Sequence, residues 1–328
     1  MTYARNHPSL MYQRILVPLD GSALSEHALP FAASLARQHR SEIVLVRAVE
    51  VQLPPGGDLL HAQKRAVHHA QKYLESLAAR LIVGKAPEVA VYCGPPAAGI
   101  LEQIVLYCAD LVVMSTHSRI GVSRLILGSV TDHILRHARV PVLLIPAACE
   151  HKWDPGQLGN FGRTTHVLVP LDGSRHAARA LGAARAVIEG VPSKVTLLKV
   201  IELPAGTQPH NLAEEISKQE EYLHAQARSL SDIAEVRTSV EVGSPVDCIV
   251  ERAQDRKADL VVMASHGRGG LTRFVMGSVA ESVLHRLDVP LLIVRPDPAF
   301  GPEPYPERND HHDEALPSQA KPVLDAVA

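Results

Sequence analysis

Two aspartates in the sequence stand where a carboxylate could bind the hydroxyls of a sugar. Asp20 and Asp172 each end a short apolar run and precede Gly-Ser. If the run is a strand of an open α/β sheet, the aspartate lies at the edge where such sheets bind ligands, and its carboxylate can accept hydrogen bonds from ribose hydroxyls. It can equally serve as a turn or helix-capping residue. The residues alone leave both roles open.

A Gly-Ser pair follows each aspartate further along the chain and opens a helical pattern. The pairs are Gly128-Ser129 and Gly277-Ser278. Free backbone N–H groups and the positive end of the helix dipole attract an anion there, by roughly 0.3–1 kcal/mol. Glycine also lets the backbone come close to a phosphate. The alternative is an ordinary helix with a serine N-cap.

The segments before these Gly-Ser pairs supply further polar residues. They begin Ser115-Thr-His-Ser118 and Ala264-Ser-His-Gly267. Four arginines follow, whose guanidinium groups either contact phosphate or stay in solvent: Arg119, Arg124, Arg268 and Arg273. The Gly94-Pro-Pro and Gly243-Ser-Pro sequences end a strand and start a helix, and structure alone accounts for them.

Several classes of site find no support in the sequence. The patterns GxxxxGK[ST], GxSxG and HExxH are absent, and GxGxxG is incomplete. His133 and His137 lie four residues apart on a predicted helix without a third ligand, so we expect no metal site. A net charge of −2 and 4% aromatic residues argue against nucleic-acid binding. The four cysteines have no CxxC spacing, which favours free thiols in a reducing compartment: Cys93, Cys108, Cys149 and Cys248.

The elements that would position these residues occur twice. Arg14-Ile-Leu-Val-Pro-Leu-Asp-Gly-Ser22 returns as His166-Val-Leu-Val-Pro-Leu-Asp-Gly-Ser174, and Ala109-Asp-Leu-Val-Val-Met114 returns unchanged as Ala258-Asp-Leu-Val-Val-Met263. The offset is 152 residues for the first motif and 149 for the second. A unit of this size is a duplicated domain rather than a solenoid repeat.

Each copy alternates apolar strands with helical patterns. The first strand is predicted at Ile15–Leu19 and Val167–Leu171, and the first helix at Ser25–Gln38 and Ala177–Glu189. Strands this apolar are covered on both faces, which favours a parallel sheet. We therefore expect an α/β protein made of two tandem doubly wound parallel sheets.

The predicted boundaries follow the repeats. Residues 12–146 form the first domain, 147–163 the linker and 164–295 the second domain, with 1–11 as an extension. Residues 296–328 hold seven prolines and seven acidic residues against two basic ones, a composition that predicts disorder. The sequence shows no signal peptide and no apolar run long enough to cross a membrane. We expect a cytoplasmic protein.

Taken together, the motifs resemble the universal stress protein family. They are Ile-Leu-Val-Pro-Leu-Asp-Gly-Ser, Gly-Ser-Pro, Ala-Asp-Leu-Val-Val-Met-Ala-Ser-His-Gly-Arg-Gly-Gly-Leu and Met-Gly-Ser-Val. The resemblance implies a Rossmann-like, five-stranded sheet in the order 3-2-1-4-5, similar to that of adenine nucleotide alpha hydrolases. In one subclass it also implies ATP bound by a Gly-x2-Gly-x9-Gly-[Ser/Thr] loop. The second copy reads Ala264-x2-Gly267-x9-Gly277-Ser278, whereas the first has Ser115 and Ser118 at the leading glycines.

The resemblance assigns site residues in both copies, with nucleotide binding expected mainly in the second. Asp172 would hold the ribose, the Val200 backbone would read the adenine edge, and the loop would wrap the phosphates. The second-domain residues are Pro170, Leu171, Asp172, Val200, Ala264, Gly267, Arg268, Gly277, Ser278 and Val279. Their first-domain counterparts are Pro18, Leu19, Asp20, Ala48, Ser115, Ser118, Gly128, Ser129 and Val130.

The expected function is therefore ATP binding, as a regulatory or structural ligand, in a stress response. Mg²⁺ would accompany the ATP, and no residue is assigned to the ion. The alternatives are an interaction module that binds no nucleotide and a slow ATPase, although no general base or catalytic lysine is evident. The resemblance also implies that the two copies pair through their fifth strands, Val140–Ile145 and Val289–Val294, which would cover a strand edge. A homodimer is left open.

Overall fold

The computed structural model describes residues 12–51, 58–81, 83–116, 128–149, 165–203, 211–265 and 276–295, with residues 175–178 as backbone only. Strands and helices alternate along the chain. The first domain contains β1 (Arg14–Pro18), α1 (Ala23–Glu26), α2 (Leu29–His39), β2 (Glu42–Val49), α3 (Leu59–Arg80), β3 (Glu88–Cys93), α4 (Pro96–Leu106), β4 (Leu111–Thr116), α5 (Ser129–His137) and β5 (Val142–Pro146). The second contains β6 (Thr165–Pro170), α6 (Arg175–Ile188), β7 (Ser193–Ile201), α7 (Leu212–Ala227), β8 (Glu235–Val242), α8 (Pro245–Asp255), β9 (Leu260–Ala264), α9 (Ser278–Arg286) and β10 (Leu291–Val294).

Both domains have the strand order that the sequence resemblance implies. The sheet runs β3-β2-β1-β4-β5 in the first domain and β8-β7-β6-β9-β10 in the second, with parallel neighbours throughout each half. The central strands are fully buried because helices cover both faces: Ile15 and Val17 pack on one side and Leu16 on the other. The prediction of two doubly wound five-stranded sheets is confirmed.

The first helix of the first domain differs from its prediction. The apolar pattern predicts one helix over Ser25–Gln38, but the structure ends α1 at Glu26 and starts α2 at Leu29. Pro30 explains the break, because proline lacks an N–H and its ring clashes with the preceding turn, so it is accepted only at the start of a helix. The second domain has Gly182 at the matching position, and α6 is continuous there.

The two half-sheets join through β5 and β10. These strands pair antiparallel, with Leu291 opposite Leu144 and Ile293 opposite Val142, to give a ten-stranded sheet. Side chains add to the junction on both faces. Arg295, directly after β10, donates to the carbonyls of Arg136 and Ala138 at the end of α5. Gln38 Nε2 donates to the carbonyl of Val187, at 2.6 Å, near the end of α6.

The repeated Ala-Asp-Leu motif anchors the start of the central strand in each domain. Asp110 accepts hydrogen bonds from the N–H groups of Gln13 (2.7 Å) and Arg14 (3.0 Å), and Asp259 accepts one from the N–H of His166 at 2.8 Å. These carboxylates tie the segment before β4 or β9 to the start of β1 or β6. They lie at the edge where the strands begin, which we call the amino edge. Asp110 and Asp259 therefore stabilise the fold.

Replacing Asp110 by alanine is expected to destabilise the protein in a pH-dependent way. The change leaves two backbone N–H groups without their partner, at about 1–3 kcal/mol. Burial raises the pKa of Asp110 to about 6. Because this pKa is raised by folding, the stabilisation from Asp110 is complete below about pH 4 and is lost as the pH rises through 6. Urea unfolding should show a larger cost of Asp110→Ala at pH 4.5 than at pH 7.

The exposed Glu102 on α4 supplies the control for that comparison. Glu102→Ala should change the free energy of unfolding by less than about 0.5 kcal/mol at both pH values. An Asp110→Ala cost that is the same at both pH values, or that grows toward pH 7, would contradict the assignment.

Candidate functional site

The aspartate turn at the end of the first strand has the same form in both domains. Asp20 Oδ1 accepts from the N–H of Ser22 at 2.8 Å, and Asp172 Oδ1 accepts from the N–H of Ser174 at 2.9 Å. The glycine between them has a φ of 89° in the first turn and 90° in the second, which favours glycine. The turn-forming role of these aspartates is thus real, and it engages Oδ1 of each carboxylate.

The second strand of each half-sheet extends beyond the central strand. The last backbone bonds between them run from the N–H of Leu19 to the carbonyl of Val46 and from the N–H of Leu171 to the carbonyl of Leu198, both at 2.8 Å. Backbone groups alternate between the two sides of a strand. Two residues further on, Ala48 and Val200 therefore direct their N–H and C=O toward the side where the central strand has ended.

The opposite side of the second strand is filled by its other neighbour. The N–H of Gly94 donates to the carbonyl of Val49, and the N–H of Gly243 donates to the carbonyl of Ile201, both at 3.0 Å. This alternation supports the orientation of Ala48 and Val200. Each domain consequently presents a backbone donor and acceptor in the crevice between its first and second strands. The crevice lies at the edge where the strands end, which we call the carboxyl edge.

A helix N-terminus faces the same edge of each half-sheet. The N-cap residues are Gly128 for α5 and Gly277 for α9, both with extended backbone and without a side-chain capping bond. Ser129 and Ser278 are therefore the first helical residues, and the serine N-cap considered as the alternative is wrong for both helices. The missing capping side chain leaves first-turn N–H groups for an acceptor outside the helix.

In the second domain the ends of the loop between β9 and α9 are held together. The N–H of Gly277 donates to the carbonyl of Ser265 at 2.8 Å, and the N–H of Ser265 donates to the carbonyl of Val294 at 2.9 Å. Ser265 is buried. The start of α9 is thus fixed next to Ala264 at the end of β9.

Each helix N-terminus also carries an acidic residue, Asp132 in α5 and Glu281 in α9. A carboxylate within the first turn competes with a bound anion for the same positive field. Arg136 offsets this in the first domain, where its Nε lies 2.9 Å from Asp132 Oδ1. This ion pair raises the pKa of Arg136, and the charge of Glu281 across the domain junction adds to the effect.

A cation that the sequence analysis did not single out lies beside each aspartate turn. Arg47 stacks over the ring of Tyr73, 4.9 Å from its centre, and its guanidinium would lie 2.8 Å from a Cβ placed on Gly21. In the second domain the buried Lys199 donates from Nζ to the carbonyl of Asp172. Arg47 and Lys199 occupy the same repeat position, one residue before Ala48 and Val200. This shared repeat position, directly before the residues expected to contact adenine, is the sequence feature from which both side chains could have been found.

A separate cleft of about 420 Å³ opens at the carboxyl ends of β2 and β3 in the first domain. Burial raises the pKa of the Cys93 thiol there. The cleft lies on the β3 side of the second strand, away from the crevice that Ala48 faces, and is lined by Val49, Glu50, Val51, Gln63, Cys93 and Gly94.

The remaining candidate residues divide into two groups. Pro18, Pro170, Ser115, Val130 and Val279 lie on strands or helices that border the crevices, with the Ser115 hydroxyl 3.5 Å from the carbonyl of Ser25. The loop residues fall outside the described residues: Ser118, Arg119, Arg124, Gly267, Arg268 and Arg273.

The described part of the chain contains no group of three histidine, cysteine, aspartate or glutamate side chains placed to hold a metal ion. His133 and His137 stack their rings 4.1 Å apart, and Nδ1 of His137 lies 2.8 Å from the carbonyl of His133. This arrangement is local to α5. None of the described helices is long and apolar enough to span a membrane.

The fold is that of a Rossmann-like α/β protein, and each half-sheet has a crevice at its carboxyl edge, where open α/β sheets bind ligands. Comparison with known proteins gives the family. The universal stress protein family matches residues 11–146 and 164–295, and the chain belongs to that family.

Some of the similar proteins are universal stress proteins that match over most of both chains. One from Mycolicibacterium smegmatis is 28% identical over 298 residues, covering 86% of this chain and 97% of the relative. One from Mycobacterium tuberculosis is 29% identical over 302 residues, covering 86% and 96%. The crystal structure of a universal stress protein from Archaeoglobus fulgidus has a TM-score of 0.66 and 22% identity, covering 86% of this chain and 98% of that one. This last likeness supports the fold.

Three glycine-to-alanine variants test how tightly Arg47 is held against the turn. Gly21 and Gly190 both have positive φ, and of these two only Gly21 faces a side chain. Gly84 has no positive φ and faces no side chain. We expect Gly84→Ala to be neutral and Gly190→Ala to cost about 1–2 kcal/mol from backbone strain. Gly21→Ala should cost about 0.5–1 kcal/mol more, because it displaces Arg47 from Tyr73. Urea unfolding measures all three, and equal costs for Gly21→Ala and Gly190→Ala would refute the contact.

Proposed function

We propose that this protein binds ATP in its second domain, as a regulatory or structural ligand in a cytoplasmic stress response. The binding site is the crevice at the carboxyl edge, between the Asp172 turn, the backbone of Val200 and the N-terminus of α9. No residue is assigned a catalytic role. Any Mg²⁺ would be carried by the phosphate oxygens, and no side chain is assigned to it.

The observation that carries this proposal is the orientation of the Val200 backbone. Because β6 ends beside Leu198, none of the described strands pairs with the next N–H and C=O on that side. A donor and an acceptor spaced this way match the donor and acceptor on the edge of an adenine ring. The same crevice offers the Asp172 carboxylate for ribose and uncapped N–H groups at Ser278 and Val279 for phosphate.

The proposal favours the second domain because the loops differ in sequence. Gly267 is a glycine in the second copy, while Ser118 takes its place in the first. A side chain there stands where the backbone should approach phosphate closely. Ser115 likewise replaces the smaller Ala264. The first-domain crevice keeps the Ala48 backbone and Asp20, so we propose that it binds nucleotide more weakly or not at all.

We also propose that β5 and β10 pair within one chain in solution. This pairing fills the strand edge through which a second subunit would otherwise add to the sheet. The chain would then reach a twofold-like arrangement without a homodimer.

Binding can be tested by isothermal titration calorimetry of ATP into the full chain and two matched variants. Gly277 has a φ of −65°, so Gly277→Val fits the backbone and places its side chain where the phosphates would lie. Loss of two charge-assisted N–H contacts, at about 1.5 kcal/mol each, predicts roughly 100-fold weaker binding.

The control is Gly128→Val, which makes the same change at the start of α5, where φ is −57°. Because the first domain is proposed to bind ATP weakly or not at all, this change should leave the ATP affinity within about twofold, which corresponds to about 0.4 kcal/mol. Equal loss in both variants, or unchanged affinity in Gly277→Val, would contradict second-domain binding. Wild-type protein that takes up no ATP would instead favour the interaction-module alternative.

A further inference from the structure

The end of helix α4 exposes an apolar surface in the first domain. Val105 is 76% exposed and Leu106 is 48% exposed, although both are large hydrophobic residues. Tyr107 is half-buried beside them, and Cys108 is exposed. We call these four residues the α4 patch. Contiguous exposed apolar surface is a feature of sites that contact another molecule or segment.

The second domain shows that the fold does not need apolar residues at this place. The backbone is the same in both copies, since Cys108 and its counterpart Lys257 each have a φ of 48°. The matching positions at the end of helix α8 are nevertheless all exposed and polar: Gln254, Asp255, Arg256 and Lys257. The α4 patch is therefore a property of the first domain alone.

The antiparallel junction brings the end of the second domain to this patch. Arg295 follows β10 and donates to the carbonyls of Arg136 and Ala138, at the amino edge of the first domain. Helix α4 ends just before β4 and packs against α5. Because β5 alone separates β10 from β4, the two strands lie about 10 Å apart. About three extended residues after Arg295 cover that distance.

The remaining 33 residues, 296–328, have the composition to cover such a surface. Phe300 and Tyr305 come within ten residues of Arg295, and the segment holds seven acidic residues against two basic ones. The exposed Arg139 lies at the same edge, in the turn between α5 and β5, whereas its counterpart in the second domain is the acidic Asp288. Apolar character thus matches at the edge where the segment begins, and Arg139 offers the acidic segment an opposite charge there.

We propose that residues 296–328 dock on the α4 patch of the same chain, with Phe300 and Tyr305 over Val105 and Leu106. Acidic residues of the segment lie toward Arg139. A tethered segment of this kind has an effective concentration on the order of millimolar, so even a contact of millimolar affinity is formed about half the time. The junction of the two domains creates this arrangement, because it places the end of one domain beside the helix end of the other.

The thiol of Cys108 is a built-in reporter of this docking. The test measures the rate of Cys108 alkylation by iodoacetamide in the full chain, with peptide mass spectrometry to identify the modified cysteine. Substituting both anchors, as Phe300→Ser with Tyr305→Ser, should speed the reaction about twofold or more. The buried Cys248 is the internal control, and its rate should not change.

A second full-length variant changes the α4 patch and leaves the sequence of residues 296–328 intact. Val105→Gln with Leu106→Asp copies the residues that the second domain carries at these positions. It should accelerate chymotrypsin cleavage after Phe300, which Gly301 follows, because the patch no longer holds this residue. Unchanged Cys108 and cleavage rates in these variants would overturn the proposal. So would a Cys108 protection that rises with protein concentration and survives the anchor substitutions, since a second copy would then be the occupant.

Discussion

The antiparallel hydrogen bonds between β5 and β10 determine how the two halves of this molecule are oriented. Each half-sheet is parallel, so its ligand-binding edge points in one direction. Joining the halves antiparallel makes the two carboxyl edges face opposite ends of the sheet. The carboxyl end of β10 therefore lies at the amino edge of the first domain, which places Arg295 against the end of α5.

Within each half, the site depends on a difference in strand length. The second strand continues past the first, and because of that overhang the backbone of Ala48 or Val200 has no partner on that side among the described residues. The aspartate turn that ends the shorter strand is held by its own serine amide. A side chain of the longer strand lies against it: Arg47 beside Gly21, and Lys199 hydrogen-bonded to the carbonyl of Asp172. The two copies thus share one design, and the sequence of the loop after the fourth strand separates them.

The repeated motifs were enough to predict the doubled α/β architecture, since the apolar runs and the Asp-Gly-Ser turns recur in register. Other features needed the three-dimensional structure. Pro30 divides the predicted first helix, and the glycines rather than the serines cap α5 and α9, because backbone geometry decides which residue is last outside the helix. Arg47 and Lys199 gain meaning only once strand lengths are known. Asp110 and Asp259 stood out as repeated residues, but only the strand register shows that they anchor the amino edge.

The central claim is that one chain offers one strong nucleotide site, in its second domain. Native mass spectrometry of the full chain with excess ATP tests it most directly, because it counts both the bound nucleotides and the chains in each particle. The account predicts a monomer that carries a single ATP. Particles with no nucleotide, or with two bound to each chain at equal occupancy, would contradict it.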